Sequence, residues 1–263
     1  MRHLRFTYST GLSFSGPVSE HQYTLRCLPL AGNGQTLLEH QLLITPGPAP
    51  CFGRDGFGST LIYGSVLTPH TAFCCRTEGV AAVDRGRVEQ GCNPALRYPG
   101  MLTQPDAALR AFYAALPLGG LTPLEKCCAL SRAVGEHFAY LPGATGVNTT
   151  AAEAFALGAG VCQDYAHVLV VLARLAGLPA RYCMGLAVGE GATHAWAEVY
   201  LPEVGWRGFD ATRGCLEDEG YLVFATGRDA ADCPAERGIF RGNVSQTQTV
   251  FMTCVEIGGH RED

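Results

Sequence analysis

The sequence changes its pattern near Asn93 and Pro94, and this change limits the folds open to the chain. Residues 1–95 contain short runs in which apolar and polar residues alternate, such as Tyr23 to Cys27, and glycine and proline separate these runs. That pattern is typical of β-strands joined by turns. The sequence therefore predicts an N-terminal all-β module, either a sandwich or a barrel-like structure, over residues 1–95.

Helices are predicted at the start of the remaining region, residues 96–263. Residues 122–125 and residues 150–153 both read Thr-x-x-Glu, a capping box that satisfies free backbone N–H groups at the start of a helix. A further helix is predicted over residues 163–176, because Gly177 follows directly and would end it. Helical segments therefore come directly after the all-β module.

Strands return after the helices. Five apolar or alternating segments are separated by turn residues, and they are residues 180–188, 194–201, 206–210, 221–225 and 249–257. We expect these five strands to form one antiparallel sheet. Helices followed by a sheet are typical of the α+β class. The predicted domains are thus a β-rich N-terminal module over residues 1–95 and a second, α+β domain over residues 96–263.

The composition is that of a soluble globular protein, with 47% hydrophobic and 16% charged residues in a chain of 263. The net charge of -5 offers no basic surface for a nucleic acid. No apolar run reaches the roughly 18 residues that span a bilayer, and the N-terminus lacks the apolar core of a signal peptide. We therefore expect a cytoplasmic protein with no nucleic-acid partner and no membrane partner.

The chain has twelve cysteines, which would suggest disulfides in a secreted protein. Because no export signal is visible, we expect the cysteines to stay reduced. They include no Cys-x-x-Cys pair, which is the spacing that zinc sites usually show. Residues 217–219, Glu-Asp-Glu, are interpreted as a solvated loop rather than a cation site. The sequence predicts no metal and no other cofactor.

Three residues in the second domain suggest nucleophilic catalysis. Cys162 stands at the start of a predicted helix, where free N–H groups and the positive end of the helix dipole stabilise a thiolate. His194 begins one predicted strand and can pair with that thiolate, and Asp210 ends the next strand and can orient the imidazole. Singly, each residue is explained by core packing or a turn. Their order and placement together predict a catalytic triad for acyl transfer.

The surroundings of the predicted triad are less defined by the sequence. The amide of Cys162 is a natural oxyanion donor, whereas a second donor is not identifiable. Trp196 follows His194 on the same strand face, so it either frames a substrate cleft or packs in the core. Gln163, beside the thiol, is the other candidate substrate-binding residue. His167 does not face the thiol along the helix and is predicted to be a packed, hydrogen-bonded histidine.

Several motifs together identify a family resemblance. Gly-Val-Cys-Gln-Asp-Tyr-Ala-His at residues 160–167, His-Ala-Trp-Ala-Glu at 194–198 and Gly-Trp-Arg-Gly-Phe-Asp at 205–210 resemble the transglutaminase-like superfamily, in particular its bacterial, cysteine-peptidase-like branch. In the first half of the chain, Arg-Asp-Gly-Phe-Gly at 54–58 and Thr-Pro-His at 68–70 resemble the β-rich module that precedes the catalytic domain in that branch. The resemblance therefore covers nearly the whole chain.

The resemblance implies a papain-like, transglutaminase-like catalytic domain over residues 96–263, with a Cys-His-Asp triad at Cys162, His194 and Asp210. It also implies cleavage of peptide, isopeptide or glutamine-type amide bonds through a thioester, with a peptide or protein as substrate. A hydrolase is the leading prediction. The alternatives are a transamidase, in which an amine replaces water, and a non-catalytic binding protein on the same fold. The substrate, the role of the N-terminal module and the oligomeric state stay open.

Overall fold

A computed structural model describes residues 1–86 and 91–258. Its strands are β1 (Arg2–Leu25), β2 (Gln35–Thr45), β3 (Cys51–Arg54), β4 (Thr60–Val66), β5 (His70–Val83), β6 (Ala139–Tyr140), β7 (Ala159–Gly160), β8 (Ala180–Ala187), β9 (His194–Leu201), β10 (Gly205–Asp210), β11 (Cys215–Leu216), β12 (Tyr221–Gly227), β13 (Glu236–Arg241) and β14 (Gln246–Ile257). Its α-helices are α1 (Ala107–Ala115), α2 (Pro123–His137), α3 (Ala151–Leu157) and α4 (Cys162–Leu175). Within these two ranges, no helix has both the length and the apolar character needed to cross a membrane.

The N-terminal module is built around the long strand β1, which takes part in two antiparallel layers. Its first half lies between β5 and β14, and its second half lies between β4 and β13, with an irregular register between Ser13 and Val18. The two layers face each other, because the ring of Phe73 on β5 lies 4.8 Å from His21 and 4.9 Å from Tyr23 in the second half of β1. This two-layered β module confirms the predicted N-terminal fold.

The sequence prediction for residues 249–257 is wrong in its pairing. These residues form a strand, but it pairs with β1 from His3 opposite Ile257 to Phe14 opposite Gln246, and so it belongs to the N-terminal module. β13 pairs with β1 as well. β5 covers only one edge of β1, and the other edge needs a partner for its backbone N–H and C=O groups. An alternating pattern identifies a strand without indicating which edge it will join.

The second domain has the predicted α+β architecture. Its antiparallel sheet has the strand order β11-β10-β9-β8-β12, and helix α4 packs on β8 and β9. Ten of the residues of α4 are buried, because the other three helices surround the side of α4 that faces away from the sheet. Both predicted capping boxes are present, at Thr122 of α2 and Thr150 of α3. This packing fixes the N-terminus of α4 beside the first residues of β9.

The N-terminal module closes one edge of the second sheet. The backbone N–H of Leu30 donates to the carbonyl of Val223 on β12 at 2.8 Å, and the Gln35 side chain bonds to both backbone groups of the same residue. The ring of Phe224 on β12 lies 5.8 Å from that of Phe6 and 6.4 Å from that of Tyr8. One hydrophobic core therefore continues through both parts of the molecule.

The acidic segment over residues 217–219 is a loop, as the sequence predicts, and Asp218 is exposed, but Glu217 is not solvated. The side chain of Glu217 is only 4% exposed and pairs with Arg85 from the N-terminal module. Burial raises the pKa of Glu217 well above its ordinary value, and the negative charge of Glu198 raises it further. Because its partner is far away in the sequence, the run of acids gave no sign of this contact.

Candidate active site

Cys162 is the first residue of helix α4, as the sequence predicts. The helix start is held by Asp164, whose Oδ2 accepts the backbone N–H of Val161 at 2.8 Å and the hydroxyl of Thr145 at 2.6 Å. The short parallel pairing of β6 with β7 fixes the approach to the helix, since Gly160 lies opposite Tyr140. Cys162 is partly exposed, so these contacts place a residue that solvent can reach at the helix start.

The predicted base and acid meet at the ends of neighbouring strands. His194 begins β9 and Asp210 ends β10, which run antiparallel to each other. The Nε2 atom of His194 lies 2.6 Å from Oδ2 of Asp210, and both side chains are buried. Because Asp210 engages Nε2, the ring nitrogen left for the thiol is Nδ1. The structure therefore brings the two residues together in the arrangement that the triad requires.

The carboxylate of Asp210 is held by three further donors. Tyr221 donates its hydroxyl to Oδ2 at 2.8 Å, and the backbone N–H groups of Thr212 and Arg213 donate to Oδ1 at 3.0 and 3.1 Å. Burial would raise the pKa of Asp210, but the hydrogen bonds and the charge of His194 hold that pKa below its ordinary value. Asp210 is therefore an ionised and immobile partner for the imidazole.

The electrostatic environment favours a protonated imidazole. Burial alone would lower the pKa of His194, but its contacts with Asp210 and with the Cys162 thiol raise the pKa to about 9. A histidine in this state is positively charged at neutral pH and stabilises a neighbouring thiolate. The site can therefore hold a thiolate–imidazolium pair.

Sequence reasoning missed Tyr221. This residue begins β12, which is separated from β10 by two other strands of the sheet. Its ring packs against that of Trp196 on β9, with the ring centroids 5.2 Å apart, and its hydroxyl reaches Asp210 at the end of β10. Burial is the largest of several causes that raise the pKa of Tyr221, so the hydroxyl stays a proton donor. No spacing along the chain signals a contact of this kind.

The two candidate substrate-binding residues occupy different positions. Trp196 is 1% exposed and stacks under the imidazole of His194 at 6.1 Å, so the structure gives it packing and no surface for a substrate. Gln163 lies in the wall of a cleft and donates to the carbonyl of Val147 at 3.3 Å. His167 is fully buried and accepts the N–H of Ala230 at 3.0 Å, which confirms the predicted packed histidine.

A cleft of about 470 Å³ adjoins the triad. Gln163 and Thr193, the chain neighbours of Cys162 and His194, lie in its wall. The N-terminal module supplies the facing wall with side chains of β1, β13 and β14, and these are Tyr8, Glu236, Gln248, Val250 and Met252. The module that the sequence left without a role therefore forms part of the cleft.

Two family models together match most of the chain. The model of the transglutaminase-like superfamily matches residues 111–211, a range that contains Cys162, His194 and Asp210. The model of the bacterial transglutaminase-like N-terminal region matches residues 4–82. The chain belongs to the transglutaminase-like superfamily.

One relative extends over most of the chain and another over about a third of it. An uncharacterized protein of Mycobacterium tuberculosis is 30% identical over 277 aligned residues, which cover 91% of this chain and 88% of the relative. The protein-glutamine gamma-glutamyltransferase of Pseudomonas aeruginosa is 35% identical over 97 residues, 32% of this chain and 14% of that enzyme. A crystal structure of a candidate cysteine protease from Cytophaga hutchinsonii has the same fold, with a TM-score of 0.77, 23% identity and coverage of 98% of this chain and 92% of that one.

Proposed function

We propose that this protein is a cysteine-dependent hydrolase of peptide, isopeptide or glutamine-type amide bonds. The observation that supports this most is the 2.6 Å contact between His194 Nε2 and the buried carboxylate of Asp210, on an imidazole that also contacts the thiol at the start of α4. With a pKa of about 9, the imidazole is protonated at neutral pH and pairs with a thiolate. Superfamily membership supports the same chemistry.

The first half-reaction forms a thioester. The Cys162 thiolate attacks the carbonyl carbon of the amide, and the electron pair of the C=O bond moves to oxygen. The backbone N–H of Cys162 at the helix start is one donor to this oxyanion. As the C–N bond breaks, the imidazolium of His194 passes its Nδ1 proton to the departing amine, and the acyl group stays on sulfur.

The second half-reaction releases the acid. Neutral His194 accepts a proton from water as the water oxygen attacks the thioester carbon, and the C–S bond then breaks to restore the thiolate beside an imidazolium. Asp210 holds the Nε2–H of the ring throughout and stabilises the charged form. Its own position is fixed by Tyr221 and by two backbone amides, so the ring turns little between the two steps.

The proposed substrate is a peptide or a protein. The cleft volume of about 470 Å³ lies within the range of about 300–1,000 Å³ found for binding pockets. Transamidation is the second candidate, because the relative from Pseudomonas aeruginosa is named as a protein-glutamine gamma-glutamyltransferase. In that reaction an amine attacks the same thioester in place of water.

The thiolate is tested by alkylation of each cysteine at several pH values, followed by mass spectrometry of the peptides. At pH 6 we expect Cys162 to react at least about tenfold faster than the other eleven cysteines, because a free thiol, with a pKa of about 8.5, is almost wholly protonated at that pH. His194→Ala should remove this advantage, because the thiolate loses its counter-charge. Equal reactivity of all twelve cysteines in the wild-type protein would contradict the proposal.

The acyl acceptor is tested on a glutamine-containing protein substrate, dimethylated casein, with and without a fluorescent primary amine. A hydrolase converts glutamine to glutamate or cleaves the chain, which mass spectrometry detects, and leaves the amine unattached. Incorporation of the amine in preference to water would favour the transamidase. Cys162→Ala is the control for both readouts, since it removes the nucleophile and keeps the cleft.

A further inference from the structure

One carboxylate lies in the wall of the cleft beside the triad. Glu236 is the first residue of β13, and its carboxylate contacts Thr10 of β1 and Gln248 of β14. Of the described residues that line this cleft, it is the only one with a formal charge at neutral pH. The charge of this cleft is therefore negative.

The two oxygens of Glu236 have different surroundings. Oε2 accepts the hydroxyl of Thr10 at 2.7 Å and the side-chain amide of Gln248 at 2.9 Å, whereas Oε1 is buried and has no hydrogen-bond partner within the described part of the chain. Neither a lysine nor an arginine from residues 1–86 or 91–258 forms an ion pair with it. Burial raises the pKa of Glu236, as expected for a carboxylate that is withdrawn from water without a counter-charge.

The neighbouring surface of the cleft is apolar. Met184 of β8 and Val250 and Met252 of β14 line it together with Val147. Such walls suit a chain of methylene groups, and each buried CH₂ contributes about 0.8 kcal/mol. A ligand that satisfies both features has an aliphatic stem and a cationic end.

We propose that Glu236 makes the cleft selective for a lysine-type side chain of the substrate, that is, an aliphatic chain that ends in a primary ammonium group. The stem packs on the apolar walls, and the ammonium donates to the carboxylate of Glu236 after a small rotation that brings Oε1 to the cleft surface. This inference rests on the proposed function and names its substrate class. Glu236 acts here as a specificity-determining residue and takes no part in the bond-breaking steps.

Methionine methyl groups provide a direct test of binding. The chain has four methionines, of which Met184 and Met252 line the cleft, while Met1 and Met101 are 73% and 82% exposed elsewhere. The protein with Cys162→Ala is labelled with ¹³C at the methionine methyl groups and titrated with N-acetyl-lysine amide, N-acetyl-norleucine amide and N-acetyl-glutamate amide. Because this variant lacks the nucleophile, binding is measured whether or not the thiol is reactive.

We expect the lysine compound to shift the signals of Met184 and Met252, with Met1 and Met101 unchanged, and to bind at least about tenfold tighter than the norleucine compound. Adding Glu236→Gln should remove this preference, because glutamine keeps the shape and the Thr10 contact but loses the charge. Glu78→Gln is the matched control, since Glu78 carries the same charge on β5, is paired with Arg76 and lies outside the cleft.

Three results would overturn the proposal: equal affinity for the lysine and norleucine compounds, preference for the glutamate compound, or a lysine preference that survives Glu236→Gln. The comparison among the three compounds uses the unaltered Glu236, so it stands even where the Gln variant folds poorly. A failure of the proposed function appears instead in the alkylation experiment, where Cys162 would react no faster than the other cysteines. The two failures are therefore distinguishable.

Discussion

At the scale of single residues, the site depends on how firmly Asp210 is held. Its carboxylate accepts four hydrogen bonds, from His194, Tyr221 and two backbone amides. A buried carboxylate without these donors would favour its neutral form and would no longer orient the imidazole. Among these four donors, only His194 and Tyr221 use a side chain. A substitution of Tyr221 therefore removes one hydrogen bond and leaves the histidine and the backbone unchanged.

Tyr221→Phe removes that hydroxyl and keeps the ring that packs on Trp196. We expect kcat/KM for amide hydrolysis to fall about fivefold to tenfold, the effect of losing one hydrogen bond to a charged group. The measurement is a comparison of wild-type and variant kinetics once a substrate is identified, or of Cys162 alkylation rates before that. Tyr200→Phe is the control, because Tyr200 lies on β9 against Trp206 and does not contact the triad. An unchanged rate in Tyr221→Phe would mean that the remaining contacts, from His194, Arg213 and the two backbone amides, hold Asp210 without the hydroxyl.

The sequence predicts the positions of Cys162, His194 and Asp210 in the fold because the signals for them are local. The start of α4, the first residue of β9 and the last residue of β10 each follow from nearby residues, and the two capping boxes fix helix starts in the same way. Tyr221, the Glu217–Arg85 pair and the pairing of β14 with β1 all join residues that are distant in the chain. Those contacts depend on how the layers of the fold pack against each other, and the hydrophobic periodicity of a segment does not indicate its tertiary contacts.

At the scale of secondary-structure elements, the critical packing is that of β8 between β9 and β12. Gly185 lies on β8 opposite His194 of β9, and β12 passes so close that any added Cβ would contact the backbone carbonyl of Leu222. A glycine is required here for the close approach of two strands rather than for an unusual backbone angle. The same close approach brings Tyr221, the neighbour of Leu222, within reach of Asp210.

Gly185→Ala should therefore separate β8 from β12. We expect a loss of about 2 kcal/mol or more in the free energy of unfolding, because backbone cannot move aside as a flexible side chain can. Activity should fall as well, since Tyr221 moves with β12. Urea unfolding measures the first effect. Gly119→Ala is the matched control, because a Cβ at Gly119 meets nothing within 4 Å, and a loss of equal size there would contradict the argument.

At the scale of the whole molecule, stability in acid is set in part by two histidines buried without a counter-charge. Burial lowers the pKa of His167 to about 3 and that of His21, which also faces His70 at 3.2 Å, to about 4. His167 packs in the second domain against Tyr182, and His21 packs in the N-terminal module against Phe73. Each part of the molecule therefore contains a buried histidine whose protonation in acid favours unfolding.

Between pH 6.5 and about 4, the unfolded chain binds protons at these two histidines that the folded protein does not bind. Stability should therefore rise with pH across this window and fall as the pH is lowered through it. Urea unfolding at pH 4.5 and pH 7 measures the difference for the wild-type protein and for His167→Gln and His21→Gln. Each variant should lose part of the pH dependence even where it is less stable overall. A difference that neither substitution reduces would assign the acid sensitivity to other groups.

The pairing of β1 with β14 has a consequence for biosynthesis. A nascent chain leaves the ribosome from its N-terminus, so β1 appears first and waits for a partner more than two hundred residues downstream, as the contact of His3 with Ile257 shows. The thiol, the imidazole and the carboxylate have all been translated by Asp210, but the wall with Glu236, Gln248 and Val250 has not. During translation Cys162, His194 and Asp210 therefore exist before this wall of the cleft. The cleft is complete only when the C-terminal strands have been made and have paired with β1.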